Sequence, residues 1–179
     1  MRFEATGLEG AYLVHSKRHE DDRGSFARIW CKREFGEQGL VADIRQVSMS
    51  TNSRKGTLRG LHLQAPPAAE TRVVQCVRGA VYDVIVDLRR KSPSYLKWYA
   101  VELTADSHAM LYVPEGFAHG FQSLTDNAWI LYLMSEFFSP EHVRGFRYDD
   151  PAFGIDWPLP VAMIAERDRK WPDYSPARA

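Results

Sequence analysis

Short apolar or alternating runs, each closed by a turn residue, set the tightest limit on what this chain can fold into. Phe26, Arg28 and Trp30 alternate with Ala27 and Ile29 directly after Asp22-Arg23-Gly24. Comparable runs occupy residues 44–50, 57–62, 71–78, 80–88, 97–103, 109–113 and 128–135. They are rich in Val, Ile, Tyr and Trp and are bounded by Gly, Pro, Asn or Ser, the pattern of β-strands. Gly79 predicts a tight hairpin between two of them. Helical signals are weak: residues 32–38 suit a short helix ended by Gly39, and residues 168–171 a helical turn. About eight to ten strands with few helices predict an all-β closed barrel or jelly roll with short peripheral helices. From Trp157 the chain carries Pro158, Pro160, Pro172 and Pro176. This tail, residues 157–179, is expected to be an irregular wrap over a single domain spanning residues 1–179.

The chain has 179 residues, 45 % apolar and 26 % charged, enough to bury a core in one domain. Lys+Arg and Asp+Glu both number 23, so the formal net charge is zero. That balance argues against a broad surface for nucleic acid or an anionic membrane. The longest apolar run, residues 128–134, falls far short of the roughly 20 residues of a membrane span. The opening Met1-Arg2-Phe3-Glu4 has no apolar stretch of a secretory signal. Cys31 and Cys76 form no CxxC pair and read as small core residues, so a reduced, cytoplasmic setting is expected.

Two histidines stand out by context. His62 sits in Arg59-Gly60-Leu61-His62-Leu63-Gln64, at a strand end. His119 sits in Pro114-Glu115-Gly116-Phe117-Ala118-His119-Gly120. This PxGxxH segment resembles the second half-motif of cupin barrels, where a turn delivers a histidine into the barrel mouth. Metal-binding cupins also carry an HxH and a Glu. Here the corresponding place reads His62-Leu63-Gln64, and two histidines make a poor transition-metal site. No metal and no cofactor are expected.

The chain is similar to the dTDP-4-dehydrorhamnose 3,5-epimerase family of cupin-type sugar epimerases. The matching residues include Asp22-Arg23-Gly24-x-Phe26, Arg59-Gly60-Leu61-His62-x-Gln64 and Gly79-x-Val81-x-Asp83-Val84-x-Val86-Asp87-Leu88-Arg89. They continue with Pro114-x-Gly116-Phe117-Ala118-His119-Gly120-Phe121, Asp149-Asp150-Pro151 and Ile155-x-Trp157-Pro158. The resemblance implies a cupin fold and a nucleotide-linked 4-keto-6-deoxyhexose as substrate. The protons at C3 and C5 flank the C4 ketone, so removal of either gives an enolate. Such chemistry needs a base on one ring face, an acid on the other and a donor at the C4 oxygen.

By that resemblance His62 is the base and Asp168 orients it, although an Asp in this setting also suits a helix cap. Tyr132 is the acid. Its strand alternation places Ile130, Tyr132 and Met134 on one face, which must then be the barrel lumen. Arg72 stands where the family usually has the Lys that polarises the ketone, and Asp83 is implied to brace that cation. Arg23 and Arg59 match diphosphate contacts, for which arginine is well shaped; a surface salt bridge is the commoner fate of an arginine. Gln46 and His119 would add neutral hydrogen bonds around nucleotide and sugar. Phe138 matches the base-stacking aromatic, usually Tyr, with plain core packing as the alternative. Arg28 replaces an acid, Ser48 an Asn and Val143 a Glu at positions that contact nucleotide or sugar. These departures suggest retained proton chemistry with room for a different nucleotide or sugar, and with C3, C5 or both inverted.

Competing readings are a cupin keto-isomerase or oxygenase, which the missing metal motif opposes, and a non-catalytic sugar-nucleotide-binding barrel. The resemblance also implies a homodimer, and edge strands near the N-terminus could pair across subunits.

Overall fold

The computed structural model describes residues 1–176. In chain order the strands are β1 Arg2–Ala5, β2 Tyr12–His15, β3 Arg18–Asp21, β4 Gly24–Ala27, β5 Gln46–Asn52, β6 Thr57–Gln64, β7 Arg72–Arg78, β8 Ala80–Asp87, β9 Trp98–Thr104, β10 Ala109–Val113, β11 Phe117–Ser123, β12 Ala128–Met134, β13 Val143–Gly145 and β14 Met163–Ile164. Two short helices, α1 Lys32–Glu37 and α2 Glu166–Arg169, flank them.

The strands form two facing sheets. One runs β1-β2-β10-β7-β12-β5 and the other β13-β6-β11-β8-β9, with β14 added parallel to β6. A separate two-stranded ribbon joins β3 to β4. This is the expected jelly-roll barrel of the cupin type. Val74, Cys76, Val81, Ile85, Leu111, Phe121 and Ile130 meet between the sheets. The outer faces are covered as well. Phe35 of α1 is fully buried against Val14, Val73, Met110 and Leu133 of the first sheet. Phe146, Phe153, Trp157 and Tyr174 cover the outside of the second. Strands buried on both faces lose strict alternation, which is why residues 71–78 and 80–88 read as near-continuous apolar runs.

Several expectations need correction. Gly79 makes no hairpin: β7 and β8 belong to different sheets, so Gly79 turns the corner between them. Its φ is +72°, and a Cβ there would lie 2.2 Å from Thr125 Oγ1, so glycine is required. The alternating run after Gly24 ends at Ala27, because its partner β3 is only four residues long. Cys31 precedes α1 as its N-cap instead of lying in or at the end of a strand, whereas Cys76 is a buried core residue as expected. Burial pushes the Cys76 thiol up to about 11, so it is inert at neutral pH.

The tail is less irregular than its prolines imply. It contributes β14 and then α2, two residues earlier than the predicted turn; residues 177–179 of the expected wrap lie outside the described residues. β11 is a fully buried inner strand that the sequence hides behind a Gly and three polar residues. Gly60 and Gly120 let β6 and β11 approach closely: a Cβ on Gly60 would stand 2.6 Å from Gly120 Cα. That contact lies beside the register shift that separates His119 from Phe121.

Candidate active site

A cleft of about 600 Å³ opens between the two sheets, within the usual range for small-molecule sites. β6 and β11 form one wall. β5, β12 and the start of β7 form the other.

His62 and His119 sit opposite each other in register on β6 and β11. Each imidazole has its own carboxylate. His62 Nε2 lies 2.7 Å from Asp168 Oδ1. β14 docks parallel to β6, pairing Ile164 with Leu58, and the helical turn that follows brings Asp168 over His62. Asp168 is 3 % exposed. It also accepts from the Gly60 N–H at 3.5 Å and the Trp171 indole N–H at 3.4 Å. Burial alone would raise its pKa, but the His62 contact and these donors hold it below the usual carboxylate value. It is therefore ionised at neutral pH and able to stabilise an imidazolium.

His119 Nε2 contacts Asp83 at 2.9 and 3.1 Å, both groups being buried. The implied bracing of residue 72 by Asp83 is thus corrected: Asp83 is engaged by His119. Arg72 is held instead by Glu70, with Nε and Nη2 donating at 2.8 and 2.5 Å, and by the His62 carbonyl at 3.1 Å.

Tyr132 projects from the opposite wall. Its ring meets that of His119 edge-on at 6.0 Å. Tyr132 and Met134 line the cleft and Ile130 lies in the core between the sheets, as the alternation requires. Burial, and then the nearby Asp83 carboxylate, push the phenol well above its ordinary pKa, only partly offset by Arg72 and Arg59. The phenol is therefore neutral across the physiological range.

Of the expected binding residues, Gln46, Ser48, Arg59, His119 and Phe138 line the cleft. Arg59 is fixed by Asn52 Oδ1 at 2.7 Å. Phe138 is 62 % exposed, so it is a rim residue and not core packing; its N–H donates to Gln46 Oε1. Arg23 and Arg28 do not line this cleft. Arg23 pairs with Asp21 at 2.7 Å on the tip of the β3–β4 ribbon, its side chain 90 % exposed. Arg28 pairs with Glu34 at 2.9 Å.

Gln64 replaces a metal ligand of other cupins, and its amide is spent on backbone: it donates to Ala68 O and Phe137 O and accepts from the Ser139 N–H. Among the described residues no group of three or more His, Cys, Asp or Glu side chains is arranged to hold a metal ion. No helix among them is long and apolar enough to cross a membrane.

Comparison with known proteins fits this geometry. The family description of dTDP-4-dehydrorhamnose 3,5-epimerase matches residues 5–175. The chain belongs to this epimerase family. A dTDP-4-dehydrorhamnose 3,5-epimerase of Sinorhizobium fredii is 38 % identical over 96 % of this chain and 89 % of the relative. The crystal structure of the dTDP-4-dehydrorhamnose 3,5-epimerase from Elizabethkingia anophelis superposes with a TM-score of 0.95 at 36 % identity, covering 100 % of this chain and 99 % of that one. The Bacillus anthracis enzyme, solved with TDP and PPi bound, gives 0.93 at 36 % identity, covering 97 % and 99 %.

Among the positions where this epimerase departs from the family's usual residues, Ser48, Arg72, Phe138 and Val143 line the cleft and Arg28 does not. The sequence reading missed Glu70 and Arg167, which also line it. Each sits within two residues of a residue that was singled out, Arg72 and Asp168, and that adjacency was the available signal.

Proposed function

We propose that this chain, as a single cupin-like epimerase domain, epimerises a nucleotide-diphosphate 4-keto-6-deoxyhexose, dTDP-4-dehydro-6-deoxyglucose being the first choice, at C3, C5 or both. The observation that carries the reading is the His62–Asp168 pair on one wall of the cleft and a neutral tyrosine, Tyr132, on the other.

His62 takes the proton next to the C4 ketone, and the electron pair of the broken C–H bond becomes the enolate. Asp168 stabilises the imidazolium that forms. Arg72 faces the same space and supplies donors for the enolate oxygen. Tyr132 returns a proton to the carbon from the opposite face, inverting the centre. Its phenolate is reprotonated and His62 deprotonated by solvent. The net change is stereochemical, and the reaction requires no redox partner. Arg59 holds the diphosphate and Phe138 stacks on the base.

Arg23 and Arg28 can serve a substrate only from a neighbouring copy, which favours the homodimer. Phe26 beside them is 71 % exposed, and the sheet edge β5 presents Val47 and Met49 at 62 % and 53 %. The reading also keeps the enzyme in the cytoplasm, where the unpaired Cys31 and Cys76 stay reduced.

The test is proton exchange in deuterium oxide, followed by NMR. Label should enter C3, C5 or both of dTDP-4-keto-6-deoxyglucose. Absence of exchange with that substrate and with its cytidine and guanosine counterparts would end the epimerase reading.

A further inference from the structure

Glu70 lies in the connection between β6 and β7, is 8 % exposed, and has no part in the mechanism above. Its Oε1 accepts from both Nε and Nη2 of Arg72, while Nη1 of the same guanidinium donates to the carbonyl of His62. Arg72 is thereby fastened at two points, one of them the backbone of the base itself. Three of its five N–H groups are used, leaving one on each terminal nitrogen. Arg72 and Val74 share a face of β7, and Val74 is the partner of Tyr132 in register. The free N–H groups therefore lie on the side of the sheet that bears Tyr132.

A carboxylate against a guanidinium also cancels most of the net charge. What remains is an aimed pair of donors rather than a mobile cation. Lysine could not substitute in that role. A compact ammonium beside Glu70 would collapse onto the carboxylate as a simple ion pair, with no planar fork to point donors elsewhere.

We infer that Glu70 is a positioning residue for epimerisation, holding the Arg72 guanidinium so that its free N–H groups meet the ketone oxygen, and that this pairing makes arginine the working cation at position 72. The inference rests on the epimerase reading, with Arg72 at the ketone oxygen.

Exchange and inversion kinetics of Arg72→Met, Arg72→Lys, Glu70→Gln, Glu70→Asp and the Glu70→Gln/Arg72→Lys double variant test it. Arg72→Met should lose about 100-fold or more in kcat. If it does not, Arg72 is not at the oxygen and the inference falls with that assignment. Glu70→Asp keeps the charge but shortens the arm, so kcat should fall about 10- to 100-fold with KM little changed. Glu70→Gln should behave similarly. Arg72→Lys should be poor while Glu70 is present, and the double variant should be faster than either single change. A residue that merely holds its loop would give additive losses without rescue. Full kcat in Glu70→Asp, or a double variant no better than the product of the singles, overturns the inference. If Glu70→Gln does not fold, the Glu70→Asp arm decides alone. Wild-type protein without exchange on any sugar nucleotide fails the underlying reading instead and removes this one with it.

Discussion

His62 Nε2 and Asp168 Oδ1 meet at 2.7 Å although 106 residues separate them, because a two-residue strand in the tail pairs with the strand that carries the histidine. The contact fixes which imidazole nitrogen faces the cleft and keeps a negative charge behind it. His62→Asn should lower deuterium exchange by several orders of magnitude while sugar-nucleotide affinity survives. Asp168→Asn should lose about 10²- to 10⁴-fold. The double change should be no worse than His62→Asn alone, since the two act as one unit. NMR exchange rates and calorimetric binding check this. Additive losses would mean that Asp168 acts apart from the base.

Tyr132 stands across the cleft from that pair, so the two proton transfers can be separated. Tyr132→Phe removes the acid and leaves His62 intact. Inversion should drop about 10²-fold or more, while exchange with solvent deuterium from the His62 face continues with retention. Product stereochemistry read by NMR beside label uptake makes the distinction. Inversion at the wild-type rate would take the acid role away from Tyr132.

The same phenol gives a pH prediction. Burial raises its pKa above the ordinary value near 10, and Asp83 raises it further. A group whose folded-state pKa is raised contributes stability that is fully present below its unfolded value and is lost as the pH climbs through the folded value. Tyr132 should therefore stay neutral through pH 10. The phenolate absorbance of wild type minus that of Tyr132→Phe should show no step at or below that pH in folded protein. A step below pH 10 would place the phenol in solvent.

At low pH the sign reverses for Asp168. Burial works against it, but the His62 contact holds its pKa in the folded protein below the ordinary aspartate value. Its contribution is fully present above that value and lost as the pH falls through the folded one. Acid unfolding of wild type should thus steepen below about pH 4, and Asp168→Asn should flatten that limb. Parallel thermal melts across pH 2–6 measure it, and identical slopes would show that the carboxylate is unpaired in solution.

How far the sequence could be read follows from how local each signal is. Strands buried on one or both faces, such as β8 and β12, announce themselves through β-branched and aromatic runs. β11 does not, because its role in the close packing against β6 calls for Gly120 and its role in the cleft calls for His119. Gly79 looked like a hairpin because turn chemistry reports a reversal of the chain and not which sheet receives it. His62, Tyr132, Arg59 and Asp168 emerged through family resemblance, and the structure brings all four to one cleft. The partners of Asp83 and Arg72 could not be read in advance: they depend on which carboxylate reaches which cation across strands, and Glu70 lies closer in sequence to Arg72 than Asp83 does. Arg23 and Arg28 lie on a ribbon and its exit, outside the cleft of their own chain.

Gly145 offers a last test, of how the tail supports the site. It is paired in register with His62, and the indole of Trp171 lies directly on it. A Cβ at position 145 would be 1.9 Å from Trp171 Cε2 and 2.1 Å from its Nε1. Gly145→Ala must therefore displace the ring whose N–H reaches Asp168, without altering any side chain that lines the cleft. Overpacking of this kind costs about 1–3 kcal/mol, visible as a lower Tm. Losing the indole donor, a long contact of 3.4 Å, should also slow exchange about 3- to 10-fold, the effect of about 1 kcal/mol for an ordinary hydrogen bond. Trp171→Phe removes the donor without the clash, so it should reproduce the rate loss with a smaller change in Tm. Wild-type exchange in Trp171→Phe would mean that the indole only covers Asp168 and does not hold it in place.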